Sequence, residues 1–277
     1  KIMEALIEAG LPRGVINFIP FSSKNAHIIF EHEAFTGLHF TGSYETLVTI
    51  WQTIGQNLPK YKNFPRIVGE TGGKDFIFMH NSADLRNTAM NIIRGGFEYQ
   101  GQKCSACSRA YVPQSRWNEM KFVLKNDGKD VKYGNIADFD KSGGAIIDKS
   151  AFKKIQEYLD YAKAHSDEYE ILVGGNTDSS NGWFVEPTLI ISKDPKGKLM
   201  QEEIFGPIIT IYIYPDDKNK KTLQLVDETS PYGLTGSIFA KDRYAIEKAE
   251  KILRFAAGNF YINDKPTGAI VGRQPFG

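Results

Sequence analysis

Two cysteines, Cys104 and Cys107, lie three positions apart near the middle of this 277-residue chain, and the chain contains no others. Gly101 predicts the end of a helix just before them, so the first thiol lies at a turn between a helix and a strand. Loops held by rigid elements commonly carry reactive groups. A free thiol has a pKa of about 8.5 and needs a base or a positive field to act as a nucleophile. Lys103 and Arg109 are candidates for that field, or are surface charges.

The residue types alone leave three interpretations of the cysteines open. They are an inert buried pair, a redox pair in a C-x-x-C motif, or a nucleophile and its neighbour. Two cysteines without a histidine close in sequence do not build a zinc site, so we predict no metal. A disulfide framework is excluded for a chain of this size with two cysteines, and the composition fits a reducing compartment.

A carboxylate precedes the cysteines in the run VGETGGK. Glu70 falls at the end of a predicted strand, and Gly72 and Gly73 let the backbone turn sharply beside a ligand. Side chains at the carboxyl ends of strands point into the usual ligand crevice of an α/β sheet. The plain alternative is a solvent-exposed glutamate in a turn. Glu70 is therefore the second candidate for catalysis, beside Cys104.

Helical and strand patterns alternate along almost the whole chain, which predicts an α/β fold with largely parallel sheets. The apolar spacing predicts helices over residues 1–9, 44–58, 82–99, 117–124, 151–164, 223–226 and 243–255. It predicts strands over residues 14–20, 38–40, 66–68, 75–79, 110–112, 170–173, 184–191, 208–214, 236–239 and 260–262. The charge-rich stretches 125–132 and 215–221 are expected to be solvated loops.

Composition and charge argue against several classes of protein. The formal net charge is +1, which gives no reason to expect nucleic acid as a partner. The longest apolar stretches are strand-sized, so we expect no membrane span. No signal or transit peptide opens the chain, and Lys1 already lies in a helical pattern, which indicates a fragment or a trimmed chain. The motifs G-x-G-x-x-G, Walker A, G-x-S-x-G and H-E-x-x-H are absent.

Five motifs occur in the order in which the aldehyde dehydrogenase superfamily carries them. An E-x-G-G-K motif begins at Glu70, and G-Q-x-C ends at Cys104 about thirty residues later. The run HFTGS, the run EEIFGP and the pair NFYIND and QPFG complete the set. By this resemblance, which covers essentially all 277 residues, the chain is identified as a member of the superfamily. Within it, FEYQGQKCSACSR and AAGNFYINDKPTGAIVGRQPFG look like the Δ1-pyrroline-5-carboxylate dehydrogenases.

The resemblance implies an activity and a mechanism. The activity is NAD-dependent oxidation of L-glutamate γ-semialdehyde, formed from Δ1-pyrroline-5-carboxylate, to L-glutamate in proline catabolism. Cys104 would attack the aldehyde to form a thiohemiacetal. The backbone N–H of Cys104 and an asparagine of the family's N-terminal region would hold the oxyanion of that intermediate. Loss of hydride would leave a thioester, and Glu70 would activate the water that hydrolyses it.

The other site residues come from the same resemblance. The positions that match the family's cofactor-binding residues, at the pyrophosphate and at the nicotinamide ribose and ring, are Gly42, Ser43, Glu203 and Phe205. The positions that match its substrate site, three at the α-carboxylate and one aromatic wall, are Ser105, Gly268, Ala269 and Phe276. For the two phenylalanines, ordinary core packing is the alternative.

The implied organisation is the second half of a Rossmann-type cofactor domain in residues 1–72, followed by a catalytic domain in residues 73–277. Family members carry a long region before the position of Lys1 and continue past QPFG, so this chain alone is expected to be inactive. Full-length members imply a homo-oligomer acting on a small molecule, in the mitochondrial matrix of a eukaryote or the cytoplasm of a bacterium. The alternatives are a non-catalytic fragment and a thiol esterase that uses Cys104 and Glu70 without a cofactor.

Overall fold

The computed structural model describes residues 1–268, which pack as two compact units. The first unit contains residues 1–71, and the second begins at Gly72. Helices and strands alternate in both, which confirms the predicted α/β class. Among the described residues, no helix has both the length and the apolar character that a bilayer crossing requires. The roles predicted for the two parts of the chain, cofactor binding and catalysis, remain predictions.

The first unit is a small parallel β-α-β arrangement preceded by two short helices. Its elements are α1 (Ile2–Glu8), α2 (Ala26–Phe30), β1 (Gly37–Thr41), α3 (Tyr44–Asn57) and β2 (Arg66–Glu70). The strands β1 and β2 pair in parallel and place Thr41 beside Glu70. Ser43 caps the helix α3, because its hydroxyl accepts a hydrogen bond from the N–H of Thr46 at 3.2 Å. A small core of Phe35, Ile50 and Ile54 holds the unit together.

The strand predicted over residues 14–20 is wrong. These residues form no β-ladder, and their apolar side chains are exposed, with Phe18 79% and Ile19 65% accessible. An apolar β-branched run satisfies the sequence pattern of a buried strand, but a strand also needs a neighbour that supplies hydrogen bonds. The sheet of this unit consists of β1 and β2 alone within the described residues, so the run has no partner there.

The second unit is built on a seven-stranded sheet covered by helices on both faces. Its helices are α4 (Leu85–Phe97), α5 (Gln114–Asp130), α6 (Lys149–Ala164), α7 (Lys198–Gln201), α8 (Asn219–Glu228) and α9 (Arg243–Ile252). Its strands are β3 (Asp75–Met79), β4 (Cys107–Pro113), β5 (Tyr169–Val173), β6 (Thr177–Asp178), β7 (Phe184–Val185), β8 (Thr188–Ser192), β9 (Ile208–Tyr214), β10 (Thr235–Phe239) and β11 (Asn259–Ile262). The sheet order is β11-β10-β3-β4-β9-β8-β5, and every neighbouring pair is parallel except the edge pair β5 and β8.

The sheet is covered on both sides, because nearly all residues of its central strands are buried. All five residues of β3 are buried. Successive side chains of a strand point to opposite faces, so Phe76 and Phe78 join the core cluster of α8 and α9. Ile77 and Met79 join the cluster of α4 and α5 on the other face. A strand buried on both faces reads as a continuous apolar run, which is the pattern that predicted it.

Three local predictions need correction. The strand predicted over residues 184–191 is two strands, β7 and β8, because Pro187 between them has no N–H to donate to a ladder. The charged stretch 125–132 is mostly the end of α5, since a helix with one solvated face accepts charges as readily as a loop does. Gly128 is tolerated in that helix because it lets α5 approach Leu189 closely. The last residues of stretch 215–221 already belong to α8.

Candidate active site

The predicted nucleophile, Cys104, lies on a turn that leads from the end of α4 into β4. Three consecutive residues of this turn, Tyr99, Gln100 and Gly101, adopt left-handed backbone conformations with φ of 54°, 56° and 64°. Each non-glycine residue in that region costs roughly 1–2 kcal/mol, so surrounding contacts must hold the turn in place. The side chain of Cys104 is half-buried, whereas that of Cys107 is fully buried.

The environment of Cys104 keeps its thiol protonated. Burial raises the pKa of the Cys104 thiol, and the negative charge of Asp75 raises it further. The backbone N–H groups of Ser105 and of Cys104 itself lower it, but they do not outweigh those effects. The thiol in this structure therefore needs a proton acceptor before it can act as a nucleophile.

Cys107 is a core residue. Its thiol donates to the carbonyl of Arg109 at 3.7 Å, and burial raises its pKa far above that of a free cysteine. The surface interpretation of Arg109 is wrong: its side chain is 1% exposed and donates to the carbonyl of Lys74 at 2.6 Å and the hydroxyl of Tyr111 at 3.0 Å. Lys103 forms an ion pair with Glu98 at 3.1 Å. The two cations therefore have other partners, and neither is a free charge beside the thiol.

A glycine joins the nucleophile turn to Glu203, a predicted cofactor-binding residue. The N–H of Gly73 donates to Oε1 of Glu203 at 2.9 Å. A Cβ atom at Gly73 would lie 2.4 Å from the carbonyl oxygen of Cys104, and one at Gly72 would lie 2.2 Å from Glu203 Oε2. Gly73 is therefore required by its close approach to the backbone of the nucleophile, whereas a side chain at Gly72 would displace the carboxylate of Glu203.

Phe205 lies next to the same turn. It has a left-handed φ of 60° and is 40% exposed, so core packing is not its role in this structure. A Cβ atom at Gly101 would lie 2.3 Å from the carbonyl oxygen of Gly206, which shows how tightly the two turns pack. The second unit thus brings Gly73 into contact with both Cys104 and Glu203, and Gly73 and the segment Glu203–Phe205 line one small cavity.

A buried pair of charged residues, Lys74 and Asp75, lies beneath this site and was not singled out from the sequence. Both are nearly inaccessible, at 1% and 2% exposed. Burial lowers the pKa of Lys74 to about 7 and raises that of Asp75 to about 8. One oxygen of Asp75 accepts from the N–H of Thr235 at 2.6 Å, and the other lies against Gly73. The only signal in the sequence was their position at the end of the E-x-G-G-K motif.

The first unit holds the other predicted catalytic and cofactor-binding residues near the carboxyl ends of its two strands. Gly42 and Ser43 follow β1 and lead into α3, while Glu70 is the last residue of β2 and is half-buried. The N–H of Gly42 donates to the backbone carbonyl of Glu70 at 3.1 Å. A Cβ atom at Gly42 would lie 2.5 Å from the ring of Phe40, so a larger residue there would displace that ring.

The predicted substrate residues are only partly described. Ser105 is half-buried and follows the nucleophile directly. Gly268 is exposed, has a φ of +107°, and has no atom within 4 Å of its Cβ position. Ala269 and Phe276 lie outside the described residues. Within residues 1–268, no three side chains of His, Cys, Asp or Glu gather closely enough to hold a metal ion.

The sequence profile of the aldehyde dehydrogenase family matches residues 1–277. The chain belongs to this family. It is 58% identical to the mitochondrial Δ1-pyrroline-5-carboxylate dehydrogenase of Dictyostelium discoideum, over all of this chain and 50% of that protein. It is 48% identical to the human mitochondrial enzyme of the same name, over all of this chain and 49% of that one.

Solved structures agree in fold. The Δ-pyrroline-5-carboxylate dehydrogenase from Mycobacterium tuberculosis bound with NAD superposes with a TM-score of 0.93 and 45% identity, over 99% of this chain and 50% of that one. The Thermus 1-pyrroline-5-carboxylate dehydrogenase with bound NAD gives 0.90 and 32%, over 100% of this chain and 52% of that one. The chain thus has the aldehyde dehydrogenase fold and spans about half the length of the relatives it matches.

Proposed function

We propose that the complete natural protein oxidises L-glutamate γ-semialdehyde to L-glutamate with NAD⁺, using Cys104 as its nucleophile. The observation that carries the proposal is the packing around Gly73, which sets the Cys104 turn against the carboxylate of Glu203. The names of the similar proteins from Dictyostelium and human support the choice of substrate. The direct test is NADH formation from the semialdehyde. Turnover of uncharged aldehydes without turnover of the semialdehyde would refute the substrate assignment.

Cys104 performs the first step. Its thiol loses a proton and its sulfur bonds to the aldehyde carbon, which places negative charge on the aldehyde oxygen. The backbone N–H of Cys104 is one donor for that oxygen. Because burial raises the pKa of this thiol, proton transfer to a base has to accompany the attack. The left-handed turn before Cys104 holds the sulfur in a fixed position, which lowers the entropy cost of the reaction.

Glu70 is proposed as the general base of the second step. Once the adduct on Cys104 has given up its hydride, for which the bound NAD⁺ would be the acceptor, a thioester remains. A half-buried carboxylate at the end of a strand can then accept the proton of a water molecule as that water attacks the thioester. Glutamate is the expected product, and the Cys104 thiol is regenerated. Acid–base help of this kind contributes roughly 10²–10⁴-fold to a rate.

The described residues suit a dinucleotide in two places. In the first unit, Gly42 and Ser43 precede the N-terminus of a 14-residue helix at the carboxyl end of β1, which is a favourable place for a pyrophosphate. In the second unit, Glu203 offers a carboxylate of the kind that binds ribose hydroxyls, fixed by the Gly73 N–H. Phe205 is exposed enough to contact a planar ring. NAD⁺ supplies the chemistry of hydride acceptance, and these residues bind and orient it.

The substrate's α-carboxylate is assigned to Ser105, Gly268 and Ala269, with Phe276 as an aromatic wall. A hydroxyl next to the nucleophile and backbone N–H groups of a glycine segment are donors that suit a carboxylate. Gly268 has the positive φ that such a segment needs when its N–H groups turn towards one ligand. Carboxylate recognition separates the semialdehyde from uncharged aldehydes of similar length.

The proposed division into a cofactor domain and a catalytic domain follows the two compact units. Residues 1–72 would contribute to the cofactor domain and residues 73–277 to the catalytic domain. We further propose a homo-oligomer, and a mitochondrial location if the source is a eukaryote, as the relatives from Dictyostelium and human are named mitochondrial. Light scattering on the purified natural protein and cell fractionation test these two points.

A further inference from the structure

Glu98 accepts hydrogen bonds from three cations that belong to three different segments. Its Oε2 accepts from Lys103 at 3.1 Å and from Lys265 at 2.5 Å. Its Oε1 accepts from the guanidinium of Arg94 at 3.1 Å and 3.2 Å. The Glu98, Lys103 and Lys265 side chains are only 29%, 32% and 20% exposed, whereas Arg94 is 59% exposed. The Oε2 side of the carboxylate is therefore the better shielded one.

The two lysines on Oε2 lie next to the two functional segments. Lys103 immediately precedes the nucleophile Cys104, and Lys265 lies three residues before Gly268, which is one of the residues of the proposed carboxylate anchor. Glu98 itself is the C-cap residue of α4 and directly precedes the left-handed residues that begin at Tyr99. A single carboxylate oxygen thus connects the residue before the nucleophile with the segment that leads to the anchor.

The contact of the Lys265 segment with α4 is supported by packing as well as by charge. A Cβ atom at Gly95 of α4 would lie 3.5 Å from the Cβ of Lys265 and 3.5 Å from the Cδ of Pro266. Proline fixes its own φ, so the chain between Lys265 and Gly268 starts from a stiff residue. Thr267 is 5% exposed, which also holds the segment in place. Lys265 and Pro266 are therefore held against α4 directly before Thr267, which is buried, and Gly268.

We propose that Glu98 is a positioning residue that couples the substrate anchor to the nucleophile through Lys265 and Lys103. This inference rests on the proposed function, because the anchor role of Gly268 is part of it. Glu98 stays ionised at every working pH, since burial opposes its ionisation but the hydrogen bonds and charges of Lys265 and Lys103 outweigh burial and lower its pKa to about 2. The network is therefore a permanent connection and not a pH switch.

The experiment compares Glu98→Gln, Lys265→Met and their double variant in the complete natural protein, with Arg94→Met as the control that removes a cation from the other oxygen of the same carboxylate. Lys265→Met is expected to lower kcat/KM for glutamate semialdehyde by roughly tenfold or more, with a change of less than about threefold for propanal. Glu98→Gln is expected to lower kcat/KM for both aldehydes. The double variant should be no worse than Glu98→Gln alone, because the two residues act through one contact. Arg94→Met should stay within about twofold of the unaltered protein.

A second measurement separates coupling from a merely structural role. The pH dependence of Cys104 alkylation by iodoacetamide reports the pKa of its thiol. In Glu98→Gln, Lys103 keeps its charge but loses its counter-charge, so this pKa should fall and alkylation at neutral pH should rise while turnover falls. A general loosening of the fold would also expose the half-buried thiol. Thermal unfolding of each variant is therefore measured as well, and the opposite pair of changes supports coupling only in a variant whose stability is unchanged.

The outcomes are distinct. Additive losses in the double variant, an unchanged thiol pKa in Glu98→Gln, or an equal loss in Arg94→Met would each overturn the coupling. If the unaltered protein does not oxidise the semialdehyde at all, the proposed function fails, and the alkylation measurement still decides whether the Glu98 network controls the nucleophile turn.

Discussion

Gly73 and Cys104 are in contact so close that only a glycine fits: a Cβ atom on Gly73 would lie 2.4 Å from the carbonyl oxygen of Cys104. The same Cβ atom would lie 2.3 Å from an oxygen of the buried Asp75. Neither neighbour is the free end of a flexible surface side chain, so the backbone would have to move. The position of the nucleophile therefore depends on Gly73 having no side chain.

Gly73→Ala is expected to reduce turnover by roughly 10²-fold or more, because displacing a reacting group by about 1 Å has that effect. Gly55→Ala is the matched control, since Gly55 lies in α3 with nothing within 4 Å of its Cβ position. That control should raise stability by about 0.5–1 kcal/mol and leave turnover unchanged. Thermal unfolding and NADH formation on both variants of the complete natural protein give the comparison. Full activity in Gly73→Ala would show that the contact is not restrictive.

Cys104 and Cys107 should differ sharply when each is replaced by alanine. Cys104→Ala is expected to abolish oxidation, because no other described thiol is accessible. Cys107→Ala should retain most of the turnover and lose only about 1 kcal/mol of stability, as expected for a small cavity in the core. Steady-state kinetics and denaturant unfolding measure both effects. Equal loss of activity from both changes would indicate a C-x-x-C redox pair instead.

Glu70→Gln should lower the steady-state rate by roughly 10²–10⁴-fold, the usual size of a general-base effect. A rapid burst of NADH should persist, since the amide does not prevent formation of the thioester. Glu8→Gln, at an exposed position of α1, is the control for loss of one carboxylate from the same unit. Rapid-mixing kinetics distinguish the burst from the slow phase. An unchanged steady-state rate would exclude Glu70 as the base.

Ser105→Ala tests the carboxylate anchor. Loss of one hydrogen bond to a charged group costs about 1.5–3 kcal/mol, which corresponds to roughly 10–150-fold in kcat/KM. The loss should appear with glutamate semialdehyde and be much smaller with propanal, which has no carboxylate. Ser108→Ala, at a half-buried serine of β4, is the control for removing a nearby hydroxyl. Equal losses on both aldehydes would remove Ser105 from the anchor.

Asp75→Asn is expected to lower the pKa of the Cys104 thiol. Burial is the larger cause of the raised pKa of Cys104, and the negative charge of Asp75 is the next. A raised thiol pKa means that the thiolate forms only at high pH, so removing the charge moves the alkylation profile towards lower pH. Asparagine keeps an oxygen that can accept from the Thr235 N–H. The pH dependence of iodoacetamide alkylation measures the shift, and a profile that moves upward or not at all contradicts the role given to Asp75.

Many elements were predictable because their periodicity reflects burial by neighbours close in sequence or by a continuous sheet. The strand Asp75–Met79 and the strand Ile208–Tyr214 have the bounds that their apolar runs predicted. The N-cap of α4 also depends only on residues close in sequence, because the side chain of Asp84 accepts a hydrogen bond from the N–H of Asn87. The run at residues 14–20 has the same apolar signature and still forms no strand, since a strand depends on a partner that its own residues do not encode.

For the candidate site, the sequence predicted which chemical groups take part and their order along the chain. Residue types and their places in the chain pointed to Cys104 and Glu70, and the resemblance to the family added Glu203. The family profile matches the whole chain, in agreement with that resemblance. The surroundings of these groups depend on how the chain folds, and the sequence did not predict them. In the folded chain Lys74 and Asp75 are buried, and Arg109 lies in the core. Lys103 and Lys265 both donate hydrogen bonds to Glu98. Electrostatic effects of this kind depend on distance and burial in three dimensions, and Lys265 and Glu98 are 167 residues apart in sequence. No local pattern along a chain records such a distance.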